Sequence, residues 1–217
     1  FIMSGFFDRL DMVEISMLVI SVLGFAAYLM VLSRPTSLKR TVAKTVAVGA
    51  LAVLAWHAGG PILLVLALAL SATGDAFLAH EGDAAFLGGL GSFLLAHIAY
   101  AVLFFGAGAG LAAAPVPGLA AVVVFALVMG TLMVRNAGPL ALPVAVYVLA
   151  IAVMGLGGVT LGGLVLLGAA LFMASDAILG SEKFLMSETS SLRRLTSPAV
   201  WVLYYAGQAL ITLGLLV

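Results

Sequence analysis

The sequence predicts an all-α integral membrane protein with about eight transmembrane helices and both termini outside the cytoplasm. Three observations predict this fold class. Hydrophobic residues make up 65% of the chain and charged residues 8%, whereas globular proteins carry roughly 25% charged residues. Apolar runs of spanning length follow one another, and lysine and arginine fall on alternate loops. A chain with this small number of charged residues cannot cover a water-exposed surface. Lipid is therefore its main solvent.

Short breaks of glycine, proline or charged residues separate the apolar runs, and each run approaches the roughly 20 residues that cross a bilayer. The predicted spans are residues 15–32, 41–58, 61–79, 84–106, 117–134, 139–155, 159–179 and 197–217. The break at Gly155–Thr160 contains no charged residue, and Gly158 and Gly162, at GxxxG spacing, predict close helix packing. We expect residues 1–217 to form a single membrane domain that begins with a short polar segment at residues 1–14.

The basic residues give the predicted orientation. Loops after even-numbered spans hold no charged residue, while loops after odd-numbered spans hold Arg34, Lys39, Arg40, Arg135, Lys183, Arg193 and Arg194. The positive-inside rule therefore places the odd-span loops in the cytoplasm and both termini outside. Asp8, Arg9, Asp11 and Glu14 make an acidic start, unlike the basic beginning of a signal peptide.

An internal repeat is predicted because the third and seventh spans end alike. Ser71–Leu78 aligns with Phe172–Leu179, which pairs Asp75 with Asp176. The spans that follow share one helical spacing, with Phe93, His97, Tyr100 and Phe104 in the fourth and Trp201, Tyr205, Gln208 and Thr212 in the eighth. The simplest interpretation is a four-plus-four duplication with parallel halves, about residues 15–106 and 117–217. The alternative is coincidence between two apolar stretches of low complexity.

Lys44, Asp75 and Asp176 are the charged side chains that fall inside the predicted spans. A charged group near mid-membrane is costly and usually marks a site that faces the bundle interior. Their sum of −1 predicts uptake of one proton, because burial and like-charge repulsion favour a neutral carboxylic acid. Such an acid can serve as a general acid, with the two aspartates facing one cavity. Alternatively, Lys44 clasps one aspartate or extends to the interface.

Other polar side chains are candidates to line the same pocket, although aromatic residues and a lone histidine in a bundle are commonly packing residues. They are His97 and Tyr100 in the fourth span, Tyr147 in the sixth, and Tyr204, Tyr205 and Gln208 in the eighth. No metal site or cofactor is predicted, because cysteine is absent and the three histidines lie at different depths. The zero net charge gives no indication of nucleic-acid binding.

Several of these motifs together resemble the YhhN-type lysoplasmalogenases. The resemblance covers about residues 17–215. It is carried by Ser71-x-x-Gly74-Asp75-x-x-Leu78, Phe86-x-x-Gly89, Phe93-x-x-x-His97-x-x-Tyr100, Tyr147 with Met154, Ser175-Asp176-Ala-Ile-Leu179 with Phe184, and Tyr204 with Gln208-x-Leu210-Ile211. The family pattern has a lysine–proline pair in the second span, where this chain has Lys44-Thr45.

The resemblance implies eight membrane spans and hydrolysis of the vinyl ether bond of lysoplasmalogens, to a fatty aldehyde and a glycerophospho-base. Asp75 and Asp176 would supply the acid and the stabilising carboxylate. Lys44, His97 and Tyr147 would bind the headgroup phosphate or orient water, and Tyr100, Tyr204, Tyr205 and Gln208 would line the substrate pocket. The expected partners are a lysophospholipid substrate and membrane lipids, in a bacterial inner membrane. The alternatives are a lipid carrier or flippase with a proton relay, and a non-catalytic lipid sensor.

The predicted topology can be tested with reporter fusions. Fusions at Lys39 and Lys183 should report the cytoplasm, and a fusion after Val217 should report the exterior, because the basic loops stay inside. A cytoplasmic signal from the fusion after Val217 would contradict the eight-span topology.

Overall fold

The structure is a computed structural model that describes residues 10–217, so Asp8 and Arg9 of the predicted polar segment lie outside the described residues. Two short 3₁₀ turns, Leu111–Ala113 and Gly138–Leu140, interrupt a succession of α-helices in this part of the chain. The helices are α1 Met12–Val31, α2 Leu38–His57, α3 Ile62–Leu78, α4 Asp83–Ala107, α5 Val116–Asn136, α6 Ala141–Leu161, α7 Gly163–Phe184 and α8 Arg193–Leu216.

Each of these eight helices coincides with one predicted span. Six of them, α1 and α4 to α8, are long and apolar enough to cross a membrane. These six fit a multi-pass membrane protein. Helix α3 is apolar but has 17 residues, and α2 carries Lys39, Arg40 and Lys44 in its first two turns. The count of eight spans, the internal repeat and the outside termini stay predictions.

Helix α1 begins within the predicted polar segment because Asp11 and Glu14 form a capping box. The Asp11 carboxylate accepts hydrogen bonds from the backbone N–H groups of Val13 and Glu14, at 2.8 and 2.9 Å. The Glu14 side chain accepts in return from the Asp11 N–H at 2.9 Å. The Glu14 N–H bond, followed by a hydrogen bond to His57, lowers the pKa of Asp11. The capping box thus satisfies backbone N–H groups that have no partner within the first turn of the helix.

The break between the sixth and seventh helices differs from the prediction. Residues 155–160 are helical, and α6 continues to Leu161. The chain turns instead at Gly162 and Gly163, whose φ angles are 70° and 53°. A residue with a side chain rarely adopts these left-handed angles, which glycine tolerates. Gly162 is therefore a turn residue, whereas Gly158 packs closely, since a methyl group there would lie 3.1 Å from the Ala169 Cβ.

The described chain divides into two compact units. The first contains residues 10–100 together with Ala209–Val217, and the second contains Ala101–Gln208. Helices α1 to α3 belong to the first unit, and α5 to α7 belong to the second. The prediction of a single membrane domain concerns the whole chain and stays a prediction.

Close backbone approach holds the first unit together. A methyl group at Gly24 of α1 would lie 2.9 Å from the Ala47 backbone nitrogen of α2. The Ser21 hydroxyl donates to the Ala47 carbonyl at 2.5 Å, one turn from that contact. Between α3 and α4, the Ser92 hydroxyl donates to the Leu70 carbonyl at 2.6 Å. Small residues and hydroxyl bonds of this kind drive helix association where lipid removes the hydrophobic driving force between helices.

The second unit uses the same two devices. A methyl group at Gly207 of α8 would lie 2.8 Å from the Gly168 carbonyl oxygen of α7. The Ser175 hydroxyl of α7 donates to the Val200 carbonyl of α8 at 2.8 Å. Met133 and Val144 are buried in a hydrophobic cluster that joins α5 and α6.

The α1–α2 contact predicts a position-specific effect of an added methyl group. Gly24→Ala should destabilise the protein by about 1–3 kcal/mol, because the new Cβ meets backbone atoms that cannot rotate away. Gly91→Ala in α4 is the matched control, since no atom lies within 4 Å of the added Cβ. The control should be neutral or gain up to about 1 kcal/mol from helix propensity. Thermal unfolding in detergent measures both, and equal midpoints for the two variants would contradict the contact.

Candidate functional site

In the first unit, the charged residues predicted inside the spans form an ion pair. The Lys44 Nζ of α2 lies 3.4 Å from the Asp75 Oδ1 of α3. The Asp75 side chain is fully buried, and that of Lys44 is 12% exposed. Unpaired burial of either charge is strongly unfavourable, so the pair lets both occupy an apolar bundle. The interhelical clasp considered for Lys44 is therefore present in the structure.

Tyr28 of α1 places its aromatic ring beside Lys44 and beside a second cation of α2, Arg40. The Lys44 Nζ lies 5.6 Å from the Tyr28 ring centroid, and the Arg40 Cζ lies 5.9 Å from it. Both are within the range of a cation–π interaction. Arg40 and Lys44 are four residues apart on α2 and so share a helix face.

Three further polar side chains of the first unit are fully buried. Ser71 lies one turn before Asp75 on α3, and its hydroxyl has no hydrogen-bond partner within residues 10–217. His97 and Tyr100, predicted to share one face of a helix, are both fully buried on α4. The structure thus brings Lys44 to Asp75 and gives His97 and Tyr100 interior positions.

In the second unit, Asp176 pairs with another predicted residue. The Tyr147 hydroxyl of α6 donates a hydrogen bond to the Asp176 Oδ2 of α7. Both side chains are partly buried. The bond fixes the orientation of this carboxyl group and joins α6 to α7.

The predicted aromatic residues of α8 form a cluster in the same unit. Tyr204 packs edge-on against Phe172 of α7, with ring centroids 5.2 Å apart. The ring centroid of Trp201 lies 5.7 Å from that of Tyr204 and 6.2 Å from that of Tyr205. Gln208, one turn further along α8, is fully buried.

Glu182 is a buried charged residue that the sequence interpretation placed in a loop. Helix α7 continues to Phe184, five residues beyond the predicted end of its span, and Glu182 is 7% exposed. Its carboxylate accepts from Ser197 at 2.8 Å and from Thr196. Arg193 donates to the backbone carbonyls of Glu182 and Ser187, so the α7–α8 loop is fastened to the helix end.

A groove between α5 and α6 contains none of the predicted site residues. It has a volume of about 380 Å³ and is mostly apolar, with Thr131 and Arg135 among its lining residues. Within residues 10–217, no three histidine, aspartate or glutamate side chains gather to hold a metal ion.

A family comparison places these residues in a known group. The profile of the YhhN family matches residues 39–215, which is more than half of the chain. The chain belongs to the YhhN family. Every predicted site residue, from Lys44 to Gln208, lies within the matched part of this YhhN chain.

Two curated relatives are similar to this YhhN protein. The lysoplasmalogenases of Mycobacterium bovis and Mycobacterium tuberculosis are each 38% identical to it over 163 residues, or 70% of this chain. The chain spans 59% of the length of these relatives. No solved structure gives a significant match.

Sequence interpretation missed three residues of the candidate site. Tyr28 and Arg40 were not singled out, because a tyrosine in an apolar span and an arginine in a basic loop are both ordinary. Ser71 was used in the repeat and in the family motif but was not proposed as a site residue, although its position one turn before Asp75 was a usable signal.

The Lys44–Asp75 pair predicts strong energetic coupling in a double-mutant cycle. Lys44→Met and Asp75→Asn should each destabilise the protein by about 3–5 kcal/mol, because each substitution removes one charge of a buried pair. The double variant should lose less than the sum of the two, because neither charge then remains. Chemical unfolding in detergent gives the free energies, with the exposed Lys39→Met as control. Additive losses would show that the two charges do not stabilise each other.

Proposed function

We propose that the protein hydrolyses the vinyl ether bond of lysoplasmalogens, releasing a fatty aldehyde and a glycerophospho-base. The observation that carries this proposal is the 38% identity to two lysoplasmalogenases. The proposal is also supported by two aspartates on apolar helices, Asp75, which is buried, and Asp176, which is partly buried. The reaction needs a proton donor within reach of a membrane lipid, and a carboxyl group in an apolar helix can serve as one.

The reaction requires one acid and one negative charge. Proton transfer to the β-carbon of the vinyl ether gives an oxocarbenium ion, in which the positive charge is shared by the α-carbon and the ether oxygen. Water adds to the α-carbon and loses a proton, and the hemiacetal collapses to an aldehyde and an alcohol. A carboxylic acid and a carboxylate at one site serve such a cation, as they do in glycoside hydrolysis.

We assign the two carboxyl groups from their partners. The ammonium group of Lys44, 3.4 Å from Asp75, stabilises a negative charge there, so Asp75 is the carboxylate that faces the oxocarbenium ion. Asp176 is then the proton donor, and Tyr147 holds its carboxyl group in one orientation. This mechanism requires the two aspartates to face one cavity, which is part of the proposal.

The remaining predicted residues line the pocket in this proposal. These residues surround the lipid chain and orient the attacking water. They are His97 and Tyr100 on α4, and Tyr204, Tyr205 and Gln208 on α8. A lysolipid is amphiphilic and reaches the site from the bilayer, which we take to be a bacterial inner membrane. Both aspartates lie toward the helix ends for which the basic loops predict a cytoplasmic location.

Conversion of either aspartate to asparagine should abolish most activity. Asp75→Asn and Asp176→Asn keep the side-chain size but cannot carry charge or donate an acidic proton. General acid catalysis contributes typically 10²–10⁴-fold, so each variant should lose at least about a hundredfold in aldehyde release per folded molecule. Deuterated solvent should slow the unaltered protein, because proton transfer to carbon limits the rate.

The control is Glu81→Gln, which removes an exposed carboxylate and should leave turnover unchanged. The two aspartates also differ in their expected pH profiles. As pH rises, the residual activity of Asp176→Asn should fall in proportion to the hydronium concentration, because hydronium is then the remaining proton donor. The activity of Asp75→Asn should instead keep a pH range over which the rate is constant, because its proton donor is intact. Turnover by both asparagine variants within about threefold of the unaltered protein would reject the mechanism and favour a lipid carrier.

A further inference from the structure

Arg40 and Lys44 concentrate positive charge at one end of α2. The two side chains lie over the same Tyr28 ring, at 5.9 and 5.6 Å, on one face of the helix. Asp75 contacts Lys44 at 3.4 Å. Two cations and one carboxylate leave a sum of +1 among these three side chains. Two like charges beside one ring repel each other, so a further anion would stabilise the group.

The Arg40 guanidinium has donor capacity that the described residues do not use. Its Nη1 donates to the Arg34 carbonyl at 3.0 Å, which ties it to the α1–α2 loop. Its Nε is buried and has no hydrogen-bond partner within residues 10–217. Arginine presents its N–H groups in a planar fork that matches a phosphate, and a phosphodiester carries the single negative charge that neutralises the group.

The spacing along α2 also fits a lysophospholipid. Four residues of α-helix rise roughly 6 Å, which separates Arg40 from Lys44 along the axis. In a lysoplasmalogen the three glycerol carbons separate the vinyl ether oxygen from the phosphate oxygen, a comparable distance. A phosphate at Arg40 therefore leaves the vinyl ether one helical turn deeper, at the level of Lys44 and its partner Asp75.

We propose that Arg40, with Lys44 beside it, binds the phosphodiester of the substrate and sets the depth of the vinyl ether in the site. This inference rests on the proposed function, because it names the part of the lipid that the same site recognises. The competing role for Arg40 is structural, as the donor that holds the α1–α2 loop.

Binding of two non-hydrolysable lipids separates these roles. The probes are a 1-O-alkyl lysophosphatidylethanolamine and the matching 1-O-alkylglycerol, which lacks the phosphate. Calorimetry or thermal shift in detergent measures both with the unaltered protein and with Arg40→Gln. Arg40→Gln should weaken the binding of the lysophospholipid about 10- to 100-fold. The affinity for the alkylglycerol should change by less than about twofold, because only the lysophospholipid offers a phosphate.

Two further variants complete the design. Lys39→Gln, an exposed neighbour on α2, should leave both affinities within about twofold. Arg40→Lys keeps the positive charge but loses the planar fork of N–H donors. It should therefore weaken the binding of the lysophospholipid at least about threefold. It provides the test if Arg40→Gln does not fold. Inorganic phosphate alone should bind at least about 100-fold more weakly than the lipid, and equal affinity would overturn the lipid assignment.

Loss of both affinities together, or of neither, would overturn the phosphate role of Arg40. The outcome is independent of turnover, because neither probe can be hydrolysed. Arg40-dependent binding of the lysophospholipid in a protein that releases no aldehyde from lysoplasmalogen would reject the proposed hydrolysis and leave the phosphate site standing.

Discussion

The ion pair between Lys44 and Asp75 determines how α2 and α3 meet in the first unit. A charge buried in an apolar bundle is strongly unfavourable unless an opposite charge lies beside it. Helices α2 and α3 must therefore meet where Lys44 and Asp75 face each other, 3.4 Å apart. That level also fixes Tyr28 of α1, which lies under the same ammonium group. The clasp and the proposed chemistry thus depend on one contact.

Hydropathy predicted the helices well because lipid imposes a simple rule on every span. A chain in hydrocarbon must satisfy its backbone groups internally, so long apolar runs become helices. Six of the helices meet the length and composition of a span. The errors lie at the ends, where this rule no longer applies. Helix α7 runs past its predicted end to Phe184, and Glu182 is buried there by partners from α8.

Side-chain partners were harder to predict than helices. The scarcity of charge in the spans identified Lys44, Asp75 and Asp176. Tyr147, whose hydroxyl contacts Asp176, was identified as a polar residue within a span and again by the family resemblance. Tyr28 carries no such signal, because its role arises from the packing of α1 on α2. The sixth break was misplaced because six glycines lie between residues 155 and 168, and only backbone angles show which of them turn the chain.

The turn at Gly162 has a consequence for the pairing of Tyr147 with Asp176. A single non-helical residue separates α6 from α7, so the two helices follow each other as a tight hairpin without an intervening loop. The bond from Tyr147 to Asp176 joins the same two helices. The carboxyl group and its hydrogen-bond donor therefore lie on the two arms of one hairpin, whose short turn keeps those arms adjacent.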